Sequence, residues 1–274
     1  MRFSVRLFIC FILLAAVLLA EKFTNADTAL QNLFYRPEMH EWLINPALHQ
    51  KLSPVFYKGL KFLLAATGAG CLIFLLLSLK KPSLAVRRRP VLILLLSIVF
   101  VPLVVAGAKY FTNVYCPYQL NIYNGLYPFV RIIDSYPESF VQLKPGRCFP
   151  AGHATAGFAF MALYFVFDSR RGKILGLLAG ILLGLAAGFY QMLRGQHFLS
   201  HTLFSMIASF AVIITIDWFV SKNTMRHEKQ MKATRDMGVG IKTIKVNDRK
   251  DQYSHLIEAA RQCQMEKYEI EQSR

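Results

Sequence analysis

The sequence predicts an all-α fold, an integral membrane six-helix bundle, and three observations carry that prediction. Six apolar segments stand out in the 274 residues, at approximately 3–20, 60–79, 90–108, 151–167, 174–193 and 198–220. Hydrophobic residues make up 54% of the chain and charged ones only 18%, against about 25% charged in ordinary soluble domains. Lys and Arg gather in the short loops between apolar segments, the pattern that orients membrane helices. The apolar content excludes intrinsic disorder, and five Cys in so long a chain exclude a disulfide-dense scaffold. A net charge of +16 points to nucleic acid only on a soluble surface, so no nucleic-acid partner is expected here.

The segments differ in strength. A helix rising about 1.5 Å per residue needs roughly 20 residues to cross a hydrocarbon core of about 30 Å, and the middle segments meet that length almost without charge. The first is the weakest, because Arg6 leaves an unbroken apolar run of only 14 residues, Leu7 to Ala20. That length also suits a signal-peptide core. The residues that follow, Glu21, Lys22 and Phe23, fit a cleavage site poorly, which favours an uncleaved signal anchor. Between the first two segments, residues 27–42 carry Leu30, Leu33, Phe34 and Trp42 among polar neighbours, read either as an interfacial amphipathic helix or as a plain loop.

Orientation follows from the loops. Loop 80–89 holds Lys80, Lys81, Arg87, Arg88 and Arg89, and loop 168–173 holds Arg170, Arg171 and Lys173. Both share a side with Arg2, Arg6 and the C-terminal tail, so the positive-inside rule puts both termini in the cytoplasm. Three regions are expected: 1–57, a signal-anchor span with an extracytoplasmic segment; 58–220, the membrane core; and 221–274, a cytoplasmic tail. In the tail, Lys222, Arg226, Lys229, Lys232 and Arg235 are either a set of headgroup contacts or a solvated face. Asp217 is expected to pair with Lys222 or to snorkel.

Three clusters then fall on the non-cytoplasmic side. The first runs from Lys109 to Cys116-Pro117, the second is Arg147-Cys148-Phe149-Pro150-Ala151-Gly152-His153, and the third is Gln191, Arg194, Gly195, Gln196, His197 and His201. Ionisable groups at membrane depth are costly and mark functional sites. Cations, a glycine-bearing helix start and several imidazoles suit phosphoryl transfer. Lys109, Arg147 and Arg194 supply charge, the Ala151-Gly152 backbone offers N–H donors, and two histidines divide nucleophile from general acid.

These clusters resemble the type 2 phosphatidic acid phosphatases, which share a fold with vanadium haloperoxidases. The family motifs K-x6-R-P, P-S-G-H and S-R-x5-H-x3-D appear as Lys109-x6-Cys116-Pro117, Pro150-Ala151-Gly152-His153 and Tyr190-Gln191-x5-His197-x3-His201. The match covers roughly residues 58 to 220 and looks like a divergent bacterial branch. The resemblance implies that His197 attacks phosphorus to give a phosphohistidine, that His153 protonates the leaving group, and that Lys109 binds phosphate oxygens. It implies no cofactor and no metal. Four positions depart: Cys116 stands where the family has Arg, Ala151 where it has Ser, Gln191 where it has Arg, and His201 where it has Asp. Arg194, one helical turn beyond Gln191, and Arg147 are candidate substitutes, and His201 would orient or relay.

Other readings stand beside this one. His197 and His201, four apart, have zinc-ligand spacing, with His153 a possible third ligand, but no H-E-x-x-H accompanies them. The same histidines could merely satisfy hydrogen bonds between spans. Cys116 and Cys148 sit beside motif prolines on the extracytoplasmic side, where a disulfide is a hypothesis, while Cys10 and Cys71 read as packing residues. The expected partners are a lipid phosphate substrate and membrane lipids, and the expected location is a bacterial inner membrane. Phosphatidate, phosphatidylglycerophosphate, polyprenyl pyrophosphate and lipid A are equally admissible substrates. The alternative function is a lipid-binding or transport protein that kept the fold without catalysis.

Overall fold

The computed structural model describes residues 2–224 and, beyond them, residues 258, 261 and 262. The chain is mostly helical. Helix α1 (Phe3–Phe23) is followed by short α2 (Ala26–Asn32) and a two-stranded hairpin of β1 (Tyr35–Arg36) and β2 (Glu41–Trp42). Next come α3 (Pro46–Ser53), a π-helical turn (Pro54–Gly59) and α4 (Leu60–Lys80), which run on as one helix across Pro46–Lys80. The sequence explains the start of α3: Pro46 presets the first turn, and Asn45 Oδ1 accepts a hydrogen bond from Leu48 N at 3.0 Å. Helix α5 (Arg88–Ala108) follows a 3-10 turn (Pro82–Arg87), α6 (Thr155–Phe158) continues as a 3-10 segment (Ala159–Phe165), and α7 (Arg170–Met192) and α8 (Leu199–Thr224) complete the bundle.

Among the described residues, five helices are long and apolar enough to cross a membrane: Phe3–Phe23, Pro46–Lys80, Pro82–Phe111, Arg170–Met192 and Leu199–Thr224. They mark the chain as a membrane protein. The sixth expected span is different. Residues 151–154 form a turn, and the apolar helix behind them, Thr155–Phe165, is shorter than the other five. Its backbone packs closely on α7, whose glycines recur every fourth residue: a methyl group on Gly180 would fall 2.1 Å from Met161 N, and one on Gly184 would fall 2.0 Å from the Phe158 ring. Small residues at that spacing let helix backbones approach as they do in lipid. Phe158, Met161 and Ala162 thereby join Leu94, Ile98 and Val101 of α5 and Ile213 of α8 in the largest core cluster.

One end of the bundle carries the basic loops, where Arg6, Arg87, Arg89 and Lys173 line a common cavity. Asp217 is paired there with Arg89 at 3.0 Å. At the other end an aromatic cap of Tyr35, Trp42, Tyr115, Tyr123, Tyr127 and Phe198 covers the helix termini. The 27–42 stretch contributes α2 and the hairpin to this cap rather than one continuous amphipathic helix. Residues Arg226, Lys229, Lys232 and Arg235 lie outside the described residues.

Candidate active site

The capped end gathers the three clusters. Helix α5 ends at Ala108 and delivers Lys109, whose side chain lies over Gly152. A methyl group there would meet Lys109 Cε at 3.2 Å and Nζ at 3.4 Å, so the ammonium would have to shift by a few tenths of an ångström. His153 follows with its ring 5.2 Å from that of Tyr57 and 5.9 Å from that of His197. The Ala151 N–H, expected to be free for an anion, donates to the His201 carbonyl at 3.3 Å and ties this turn to α8.

The turn between α7 and α8 is held from outside. Gly195 adopts φ +67°, and a methyl group on it would fall 2.3 Å from the Trp42 indole, so the hairpin fixes the turn against a residue with no side chain. The Gly195 carbonyl accepts from Tyr118 N at 2.9 Å. His197 is buried behind this turn, with Nδ1 3.4 Å from Cys148 Sγ and Nε2 enclosed without a hydrogen-bond partner among the described residues. Cys148 is joined to Cys116 by a disulfide that ties the first cluster to the second. His201 stands one turn away, its ring 5.8 Å from that of His197 and its Nδ1 also enclosed without a partner.

A cavity of about 300 Å³ opens onto Lys109, Gly152, His153, Thr155 and Gln191, with Leu60, Leu64, Pro102 and Ala106 as apolar wall. Lys61 and Lys109 line it, and Arg194 touches its edge through Gln191. Arg194 donates to Gln191 Oε1 at 3.0 Å, so its guanidinium reaches the place where the family carries Arg. Lys61, missing from the sequence reading, lines the same cavity and donates to the Tyr57 hydroxyl at 3.0 Å. Burial, then Lys109, Lys61 and Arg194, lower the His153 pKa to about 4. Burial and the neighbouring histidines and Lys109 hold His197 well below the ordinary imidazole range. Both rings are therefore neutral at pH 7. A neutral imidazole with a free nitrogen is nucleophilic, and a phosphate anion among these cations would return a proton to His153.

Arg147 lies elsewhere. It is exposed, with its guanidinium 4.5 Å above the Tyr110 ring, and does not line this cavity. Asp27, also missing from the sequence reading, reaches the site from α2. Its Oδ1 accepts from Ser200 N at 2.9 Å and its Oδ2 from the Ser200 hydroxyl, capping α8 between His197 and His201. Burial raises the Asp27 pKa. No local pattern announces this contact, which spans 173 residues.

Cys148, His197 and His201 place their potential ligand atoms within 4.8 Å of one another. The Cys148 sulfur is bonded to Cys116 and has no thiolate to offer. Two imidazoles remain, too few for the closed or catalytic zinc sites that three or four protein ligands make. The donor set fits an anion better than a metal.

No curated protein and no solved structure shows significant similarity to the chain. The family model of the PAP2 superfamily matches residues 90–225, about half of the chain, from the start of α5 through both histidine-bearing turns to the end of α8. The matched stretch contains Lys109, Gly152, His153, Arg194, His197 and His201, the residues the fold collects at one end. The chain belongs to the PAP2 superfamily.

Proposed function

We propose that this chain is a membrane-embedded phosphatase hydrolysing a lipid phosphate or pyrophosphate through a phosphohistidine on His197. Membership in a superfamily of phosphatases supports hydrolase activity on a phosphorylated substrate. The observation that carries the mechanism is the His197 Nε2 atom, buried and unpartnered among the described residues, with the ring of His153, which lines the cavity together with Lys109, 5.9 Å from its own.

In this reading Lys109, Lys61 and Arg194 hold the phosphate oxygens, with Gly152 giving close access. His197 Nε2 attacks phosphorus, the bond from phosphorus to the lipid oxygen breaks, and His153 gives that oxygen its proton. Water then attacks the phosphohistidine, His153 takes the water proton, and phosphate leaves. Cys148 and His201 keep the His197 ring in place. The apolar wall of Leu60, Leu64, Pro102 and Ala106 favours a lipid over a soluble ester. The basic loops gathered at the opposite end support a non-cytoplasmic active site and cytoplasmic termini, as in a bacterial inner membrane.

The test is phosphate release by purified protein from phosphatidate, phosphatidylglycerophosphate, polyprenyl pyrophosphate and lipid A, with and without EDTA. Release from at least one lipid, insensitive to EDTA and lost in His197→Ala, is expected. No release from any of them favours a lipid-binding or transport role on the same fold.

A further inference from the structure

The end of the bundle that carries the basic loops holds a feature the phosphatase reading does not use. A cavity of about 420 Å³ there is lined by four cations, Arg6, Arg87, Arg89 and Lys173, and two carboxylates, Asp168 and Asp217. Each carboxylate is engaged by one arginine: Arg87 pairs with Asp168 at 2.5 Å and Arg89 with Asp217 at 3.0 Å. Among the described residues the lining has four cations to two carboxylates, an excess of positive charge, with Arg6 and Lys173 both partly withdrawn from solvent. Withdrawn charge of one sign favours a counter-ion.

A second cavity of about 460 Å³ continues from the first and shares Arg6, Tyr164 and Phe165 with it. Its walls are apolar, with Ile9 and Leu13 of α1, Leu177 and Ile181 of α7, and Ile207 and Ile214 of α8. The short Thr155–Phe165 helix explains it. At about 1.5 to 2.0 Å per residue that segment falls well short of a 30 Å core, so α1, α7 and α8 are left with a groove between them at this level. Cys10 lies buried in the same groove.

We infer that the two cavities together bind one anionic phospholipid. Its phosphate sits among Arg6, Arg87, Arg89 and Lys173, and one acyl chain lies along α1 and α8. The charge selects an anion, and the continuous apolar groove selects one that carries a chain. Helix α5 separates this site from the histidines: Arg89 and Lys109 stand twenty residues apart on it, about 30 Å at the helical rise. The bound lipid is therefore a resident of the bundle and not the substrate, and the inference stands whether or not the phosphatase reading does.

Native mass spectrometry of the full chain in detergent tests it, with phosphatidylglycerol, phosphatidylcholine of the same chains, and free glycerophosphate as the three ligands. One phosphatidylglycerol per chain is expected, retained in preference to phosphatidylcholine, with no glycerophosphate retained. The double substitution Arg6→Gln, Lys173→Gln should weaken phosphatidylglycerol binding about thirtyfold, while phosphatidylcholine binding stays the same. The thermal midpoint without added lipid serves as the folding control, and Arg6→Gln alone should show an intermediate loss if the double variant unfolds. Equal retention of the two lipids, phosphatidylglycerol retention unchanged in both variants, or glycerophosphate bound as tightly as the lipid would each overturn the inference.

Discussion

Replacing Lys61 by Met tests the part of the site that only the fold reveals. Lys61 lies on the cavity wall with its ammonium 3.0 Å from the Tyr57 hydroxyl and 4.2 Å from that ring's centre, and the Tyr57 ring is 5.2 Å from His153. Methionine keeps the stem and removes the charge. If Lys61 binds a phosphate oxygen, the loss of one charge-assisted hydrogen bond, about 1.5–3 kcal/mol, lowers kcat/KM about 10- to 150-fold. A second consequence is independent of the first. Lys61 is one of the cations that depress His153, so its removal raises the His153 pKa. A general acid works only while protonated, so the high-pH limb of the kcat profile should move to higher pH in Lys61→Met and stay in place in Lys61→Arg. The assay is phosphate release from the best lipid in the panel between pH 5 and 9. Wild-type rates with an unmoved limb in Lys61→Met would refute the placement of this cation at the phosphate.

Three further outcomes follow from the same geometry. His153, with a pKa near 4 in the folded chain against about 6.5 unfolded, binds fewer protons folded than unfolded between those values, so stability falls as pH drops through that window. The share due to His153 is up to about 3 kcal/mol, and a thermal-midpoint scan in detergent should show a shallower acid loss in His153→Gln. Asp27→Ala removes the cap of α8, expected to cost about 0.5–2 kcal/mol and to lower kcat more than it raises KM, because the histidines shift while the cation cage stays; unchanged kinetics with a lowered midpoint would reduce Asp27 to a purely structural cap. Reducing the Cys116–Cys148 bridge, which closes a loop with a sequence separation of 32, should destabilise the aromatic-capped end by about 3–4 kcal/mol. Labelling of both cysteines in unreduced, denatured protein would show that the bridge is absent.

The membrane helices were legible because length and hydropathy are local properties. The 151–167 segment was not, since its apolar length suggests a full span. What shortens it is non-local: the glycines of α7 admit a tightly wound segment against their backbone, and Gly152, His153 and Thr155 are drawn into the cavity. The motif residues could be read because their spacing is fixed by two turns, and the fold brings Lys109, Gly152, His153, Arg194, His197 and His201 to one end. Arg147 was expected at the phosphate from its nearness to His153 in sequence, yet its side chain turns outward over Tyr110. Lys61 looked like the polar flank of a span, and only the π-helical turn before α4 and the packing of Tyr57 against His153 give it a role. Asp27 reaches Ser200 over 173 residues of sequence, a contact no periodicity encodes.

The central claim is the covalent intermediate, and rapid quench with a lipid carrying a labelled phosphate tests it most directly. Alkaline denaturation within the first turnover should leave label on the wild-type chain, stable in base and released by acid, as a phosphoramidate is. None should remain on His197→Ala, while His153→Ala should accumulate label if breakdown of the intermediate needs that base. Label absent from an active wild-type enzyme, or still present after His197→Ala, would contradict the account.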